Sequence, residues 1–366
     1  MRGDYSRITF RPDRHYSGVL QQQGRVSLDA DFNEHEEIER YRLRQLARDV
    51  IGACGGPRDD AGFDITVDGS GQITFGAGRY YVDGLLVENE APAAVRLPDS
   101  APGRYLAYLD VWEAEVTSLD DPSLTDPALG GPDTTVRLQV VWRVHISPCA
   151  PDGDLTTDEE RPTLDVSTGA DGYAGAENAL YRIEIHSADK EGEPSFKWSR
   201  DNGSLVLPLS DIHGDTVVVS DAAGLSTSDW LELLDASLEL EGLPGQLAQI
   251  AAIDIGKQSV QLSEPVVANL SDRPRVRRWH GAGQAGQSVA LEEGIELQFG
   301  GSGFKSGDYW TFAARPANRS VEWPGGPQPA SRVEHRICPL AVLKRTNKGK
   351  WQVVEDRRAL FRPLAS

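Results

Sequence analysis

The chain is predicted to be mainly β: an N-terminal arm and one amphipathic helix, then sandwich- or barrel-like β domains with a small inserted β module. Three observations support this. The 37 Gly and 22 Pro among 366 residues cut the chain into short lengths. Between these breaks lie brief Val, Ile, Tyr and Trp runs of strand character. Only the stretch over Glu34–Ile51 carries a sustained helical period.

Residues 1–33 show no clean period and are broken by Pro12, Gly18 and Gly24, which predicts an extended arm with one or two turns. Asn33 with Glu36 three residues on reads as a capping box. Glu34, Glu36 and Glu37 fill the first turn, Arg44 and Arg48 the last, and Gly52 ends the helix. Its apolar stripe is Leu43, Leu46, Ala47 and Val50, with Ile38 and Tyr41 a turn before. After Gly55-Gly56-Pro57 come short strands over 64–67, 72–75, 79–82 and 85–88, the last two joined by the hairpin signal Asp83-Gly84.

Two longer strands, 105–117 and 136–146, each centre on a Trp (Trp112, Trp142) and are expected to pair across a Pro/Gly/Asp-rich excursion. Residues 148–176 read as a polar linker. Strands resume at 181–186, 195–199 and, after the Asp201-Asn202-Gly203 turn, 205–209. Those at 216–220, 230–233, 249–255 and 259–262 suggest a compact barrel, and 287–345 returns to strand pattern before a hairpin-like KRTNKGKWQVV and a basic tail. The predicted organisation is 1–55 attachment arm and helix, 56–209 and 283–366 two parts of one β domain, and 210–282 the inserted barrel-like module.

A net charge of −19, from 56 acidic against 37 basic residues, opposes binding to nucleic acid or to an anionic membrane. Three widely spaced cysteines, Cys54, Cys149 and Cys338, fit a reducing compartment better than a disulfide scaffold. No signal-peptide core and no run of 18 apolar residues occurs, so cytoplasmic synthesis without membrane insertion is expected.

Candidate chemistry is sparse. Asp29, Asp31 and Asn33 have the spacing that opens a calcium loop, but Glu34 stands where glycine must turn and Arg40 where a bidentate glutamate is needed. The seven histidines form no metal motif, and no nucleophile elbow or phosphate-binding glycine loop appears. No catalytic residue, metal ligand or cofactor is therefore expected. The basic run Arg273–His280 suits pairing with acidic faces, and the Arg2-Gly3-Asp4 tripeptide is treated as a chance match to an integrin motif.

The opening FRPDRHYSGVLQQQGRVSLDADFNE resembles the start of a phage-tail-like protein family encoded with baseplate components of contractile injection systems. More distantly, it resembles the segments by which some phage tail fibres join the baseplate. Further matches follow in order: LDDPSLTDPALGGPDT (119–134), ENALYRIEIH (177–186), FKWSRDNGS (196–204), LEEGIELQF (291–299) and GDYWTFAAR (307–315). The resemblance implies a structural, non-enzymatic part of a syringe-like particle: a tail-fibre-like, cap or baseplate-associated subunit. Its partners would be baseplate or spike proteins, its homo-oligomer a trimer by analogy with fibres, and its particle open to release outside the cell. The chain has no repetitive shaft, which favours a compact adaptor over a long fibre. The residues expected to bind the partner are Tyr16, Leu20, Gln23, Gly24, Arg25, Leu28, Asp29, Asp31, Asn33, Leu43, Leu46 and Val50, by β-augmentation plus a helix stripe. The alternative is a glycan- or surface-recognition module using Trp279 or Trp323.

Overall fold

The computed structural model describes residues 2–95, 101–130, 133–149, 160–188, 194–286 and 288–362. The fold is mainly β, as predicted, and is built as three nested units, each with its own apolar cluster.

The leading segment contains a single 3-10 turn, Pro12–Arg14, and runs into helix α1, Asp29–Ile51. The helix starts five residues before the predicted Glu34, and the expected capping box is absent. Leu28 is the N-cap, extended at φ −110°, with no side-chain cap bond, and Asn33 lies exposed inside the helix. The acidic first turn is set instead by Asp29 and Asp31, which suit the positive end of the helix dipole.

The first unit takes β1 (Cys54–Pro57), β2 (Ile65–Val67), β3 (Ile73–Phe75), β4 (Gly78–Val82), β5 (Leu85–Asn89), β6 (Ala93–Ala94), β7 (Gly103–Val116) and β8 (Arg137–Pro148). β4 and β5 form the expected hairpin through Asp83-Gly84. The two long strands pair as anticipated, Trp112 opposite Val141. Of the excursion between them, residues 131–132 lie outside the described residues.

The second unit begins with β9 (Thr163–Thr168), β10 (Ala179–Ser187) and β11 (Ser195–Ser199). β9 corrects the reading of 148–176 as linker. Its alternating Leu164 and Val166 are buried in the second core, where β9 pairs with two neighbours, although polar and Gly-rich flanks mask the pattern. Residues 150–159 of that stretch lie outside the described residues.

The third unit is a closed six-stranded barrel in the order β12-β13-β16-β15-β14-β17. Its strands are β12 (Val206–His213), β13 (Thr216–Val219), β14 (Trp230–Leu234), β15 (Gln246–Asp254), β16 (Ser259–Leu262) and β17 (Arg275–Trp279). A short helix α2 (Ala236–Glu241) follows β14. The barrel begins at Val206, four residues outside the predicted 210–282 limits, and its last strand ends at Trp279, three residues inside them. The run at 205–209, read as part of the outer domain, is its opening strand and closes it against β17.

The chain then returns. β18 (Gly281–Gln284), β19 (Val289–Ala290), β20 (Ile295–Gly300), β21 (Tyr309–Arg315), β22 (Ser320–Glu322) and β23 (Gln328–Pro329) complete the second unit as two sheets, β18-β11-β10-β21-β22 and β19-β20-β9-β23. β24 (Arg336–Arg345), β25 (Trp351–Asp356) and β26 (Leu360–Phe361) complete the first. The predicted single β domain in two parts, 56–209 and 283–366, is thus two domains, one nested inside the other. Alternation along a strand shows that one face is buried but not which partner covers it.

Cys54 and Cys338 are joined as a disulfide with Cα atoms 6.1 Å apart, against the reading of three widely spaced cysteines as better suited to a reducing compartment than to disulfide bonding. A sequence separation of 284 residues hides this proximity, and only the return of β24 beside β7, with β1 nearby, creates it.

Candidate functional site

Helix α1 sits on the first unit through charge. Arg40 and Arg44 both reach Glu113 at 2.5 Å, and Arg48 pairs with Asp83 at 3.0 Å. Gly84, at φ 80°, lies so close to the Arg44 backbone that an added Cβ would come within 2.8 Å of it, so the hairpin tip must be glycine for the helix to seat. Only Ala30 and Ile38 of the helix are buried. With the inner face occupied by arginines, the apolar stripe points outward: Leu43, Leu46 and Val50 are 65%, 60% and 54% exposed.

Of twenty-one large apolar side chains exposed among the described residues, ten fall between Ile8 and Val50. Residues 11–28 form an exposed loop. Among the described residues it is tied to the rest of the molecule by hydrogen bonds from the Arg42 guanidinium to Ser17 O (3.2 Å) and from Phe32 N–H to Leu28 O (3.4 Å). The sequence-predicted residues divide accordingly. Tyr16, Leu20, Gln23, Gly24, Arg25 and Leu28 lie in this loop and are exposed, with Gly24 at φ 72° in its turn. Asn33, Leu43, Leu46 and Val50 are exposed on the helix, while Asp31 is half-buried. Asp29 is used inside the chain, where its carboxylate accepts the Ser6 N–H at 2.8 Å.

The arm is not free along its whole length, which corrects the expectation of an extended attachment arm with one or two turns. Residues 2–9 fold back onto the body. Thr9 Oγ1 donates to Glu34 at 2.7 Å, and Arg2 enters the space where the three units meet. This also disposes of the Arg-Gly-Asp tripeptide as a presented motif, because the Arg2 guanidinium is bound to Glu184 at 2.9 Å.

That meeting place is the second notable site. Its cavity of about 2090 Å³ is lined to about half by Lys, Arg, Asp and Glu, a composition unlike that of a small-molecule pocket, whose walls are mainly apolar. At its base Lys197 bridges Glu184 at 3.2 Å and Glu232 at 2.5 Å, and its ammonium lies 4.7 Å from the Trp279 ring centroid. Arg182 pairs with Glu184 at 2.7 Å, and the Trp279 indole N–H donates to Glu232 at 2.9 Å. Arg275 holds Asp120 at 2.8 Å and Glu239 at 3.1 Å, Arg277 also pairs with Glu239, and Arg278 with Asp201. The basic run at 273–280 therefore pairs with acidic groups of its own chain, as its composition suggested.

Burial would raise the Glu184 carboxyl, but Arg2, Lys197 and Arg182 outweigh it and hold the group well below the usual carboxylate range. Burial opposes ionisation of Glu232 too, yet Lys197 brings it down to about 2. Arg2 is raised: its burial favours the neutral form, and Glu184 and Glu239 more than compensate. His280 is lowered to about 4 by burial, with Arg278 and Arg200 adding to the effect. Two carboxylates locked as anions around an ammonium are fitted to hold structural elements together, whereas a general acid needs a raised pKa.

The sequence reading missed Arg2, Glu115, Glu184, Lys197, Glu232 and Glu239. The available signal is the alternation Tyr181-Arg182-Ile183-Glu184-Ile185, which looks like one wet and one dry face. The charged side is buried instead, because Glu184 of β10 shares Lys197 with Glu232 of β14 in the barrel. Trp279 is fully buried and so offers no open stacking face to a glycan, whereas Trp323 is half-buried, its N–H donating to Asp165 at 3.2 Å and Gly326 O at 3.1 Å.

Among the described residues no group of three or more His, Cys, Asp or Glu side chains is placed to hold a metal ion, and no helix is long and apolar enough to cross a membrane. No curated protein and no solved structure matches the chain. A family model does, over residues 1–155 and 153–346, and with both halves of the nested fold included, the chain belongs to the family of unknown function DUF6519.

Proposed function

We propose that the chain is a non-enzymatic assembly subunit that docks through the loop at 11–28 and the outer face of α1, as a baseplate-associated or cap-like component of a phage-tail-like contractile injection particle. The observation that carries this reading is the concentration of exposed apolar side chains between Ile8 and Val50, on a helix seated by ion pairs. A helix whose apolar stripe faces water has the pattern used for helix-in-groove docking, and an exposed loop with unpaired main-chain groups suits strand addition. The particle itself is inferred from the resemblance of the opening segment and the five ordered matches. Copies would surround a symmetry axis, with the trimer as the expected state.

The test is the triple variant Leu43→Glu, Leu46→Glu and Val50→Glu in the full chain, expressed with the particle genes. All three positions are exposed, so the variant should keep its melting temperature within a few degrees while its incorporation into purified particles falls at least tenfold. Normal incorporation of a folded variant would refute the reading.

A further inference from the structure

We infer that residues 2 and 3 are a removable clamp that sets the position of the barrel, so that the barrel's freedom depends on where the arm lies. These two residues reach all three units. The Arg2 N–H donates to Glu115 of β7 at 2.6 Å, and its guanidinium donates to Glu184 of β10 at 2.9 and 3.3 Å and lies 3.9 Å from Glu239 of α2. Gly3 O accepts from Asn202 Nδ2 at 3.0 Å, at the turn that leads the chain into the barrel. One short peptide therefore touches the first unit, the second unit, the entry to the third and the third itself.

Two features make the clamp withdrawable. Arg2 lies in the lining of a wide cavity in which about half of the residues are charged, so it withdraws through open space and not out of a packed apolar core. The clamp is also continuous with a lightly held segment: behind it stand the Ser6 and Thr9 bonds to α1, the Arg315 guanidinium bond to Ser6 O at 3.3 Å and the Phe10–Tyr41 ring contact, and then the exposed loop at 11–28. A partner that takes up this loop pulls on residues 2–9 directly. If Arg2 leaves, Glu184 keeps Arg182 and Lys197, and Glu239 keeps Arg275 and Arg277, so neither carboxylate is stranded. The barrel then still holds other ties, among them Lys197 to Glu232, Asp201 to Arg278, Asp120 to Arg275 and Arg273, and Arg143 to Glu241, and moves more freely about them once Arg2 is gone.

The inference rests on the docking reading only for what withdraws the segment; the clamp itself is tested on the isolated chain. Hydrogen exchange is compared between the wild-type full chain, Arg2→Ala and Arg2→Lys. Arg2→Ala should accelerate exchange about tenfold in α2 and β17, leave β7 and β24 unchanged, and enlarge the radius of gyration by small-angle scattering. Arg2→Lys, which keeps the charge, should restore part of the protection. Unchanged exchange in α2 and β17 would overturn the clamp, as would equal acceleration everywhere. The triple helix-face variant should show wild-type exchange in both elements, so a failure to dock and a failure to clamp give different results.

Discussion

The barrel and α1 spend their apolar residues in opposite ways. In the barrel Leu231, Leu233, Val217, Val260 and Val276 all point inward and are essentially inaccessible, and the outward positions between them carry Glu232, Arg275 and Arg277. In the helix the inward positions carry Arg40 and Arg44, and the leucines face out. The barrel is thus energetically complete by itself: closure pairs its edges and its core fills the interior. The helix is only half satisfied, held by charges at its back with Leu43, Leu46 and Val50 left exposed. The same two periods, 2 for strand and 3.6 for helix, report an apolar face in both cases, and only the three-dimensional neighbours tell which face is finished.

This contrast can be broken most sharply at Leu231. Leu231→Ala removes a side chain from the sealed barrel core and should cost about 3 kcal/mol, within the range of roughly 2–5 for such truncations, measured by urea unfolding. A loss below about 1 kcal/mol would mean the barrel is loosely packed.

Acid should act next, on the barrel's base. His280 is kept neutral in the fold, lowered to about 4 from the usual 6.5, so its contribution is complete above the unfolded value and is lost as pH falls from about 6.5 through 4. Glu232, lowered to about 2, extends the loss from about 4.5 downward. The melting temperature should therefore drop between pH 7 and pH 4, with a flatter slope over that window in His280→Gln. Equal slopes in the two proteins would remove His280 from the account.

The smallest effect is expected at Leu46. Leu46→Ala on the exposed helix face should shift stability by no more than about 0.5 kcal/mol in the same urea titration. A cost of 2 kcal/mol or more would show that the face is already covered within the chain or by a second copy.

Much of the fold was legible from residues alone. The Asp83-Gly84 hairpin, the pairing of the two Trp-centred strands and a barrel-like module, placed at 210–282 with its opening strand left outside, followed from alternation and turn chemistry. The helix start was misread because Asn33 and Glu36 imitate a capping box, while the bond that orders the true start comes from Ser6, remote in sequence. β9 was lost in polar company, and the nesting of the second unit in the first was invisible because sheets assembled from distant strands leave no local mark. At the site, the outward stripe of Leu43, Leu46 and Val50 was readable from its spacing. The grip of Arg2 on Glu184 was not, since 182 residues separate the partners and nothing in either neighbourhood announces the other.

The bond between Cys54 and Cys338 gives the molecule a short circuit. Every residue of the second unit and the barrel lies on the long way round, whereas the sulfurs connect the foot of α1 straight to β24 in the first core. Tension applied to the arm by a moving neighbour would follow that shortcut into the β7–β24 ladder. The intervening domains would hang beside the line of force as a pendant, free to turn while the spine beneath them stays taut.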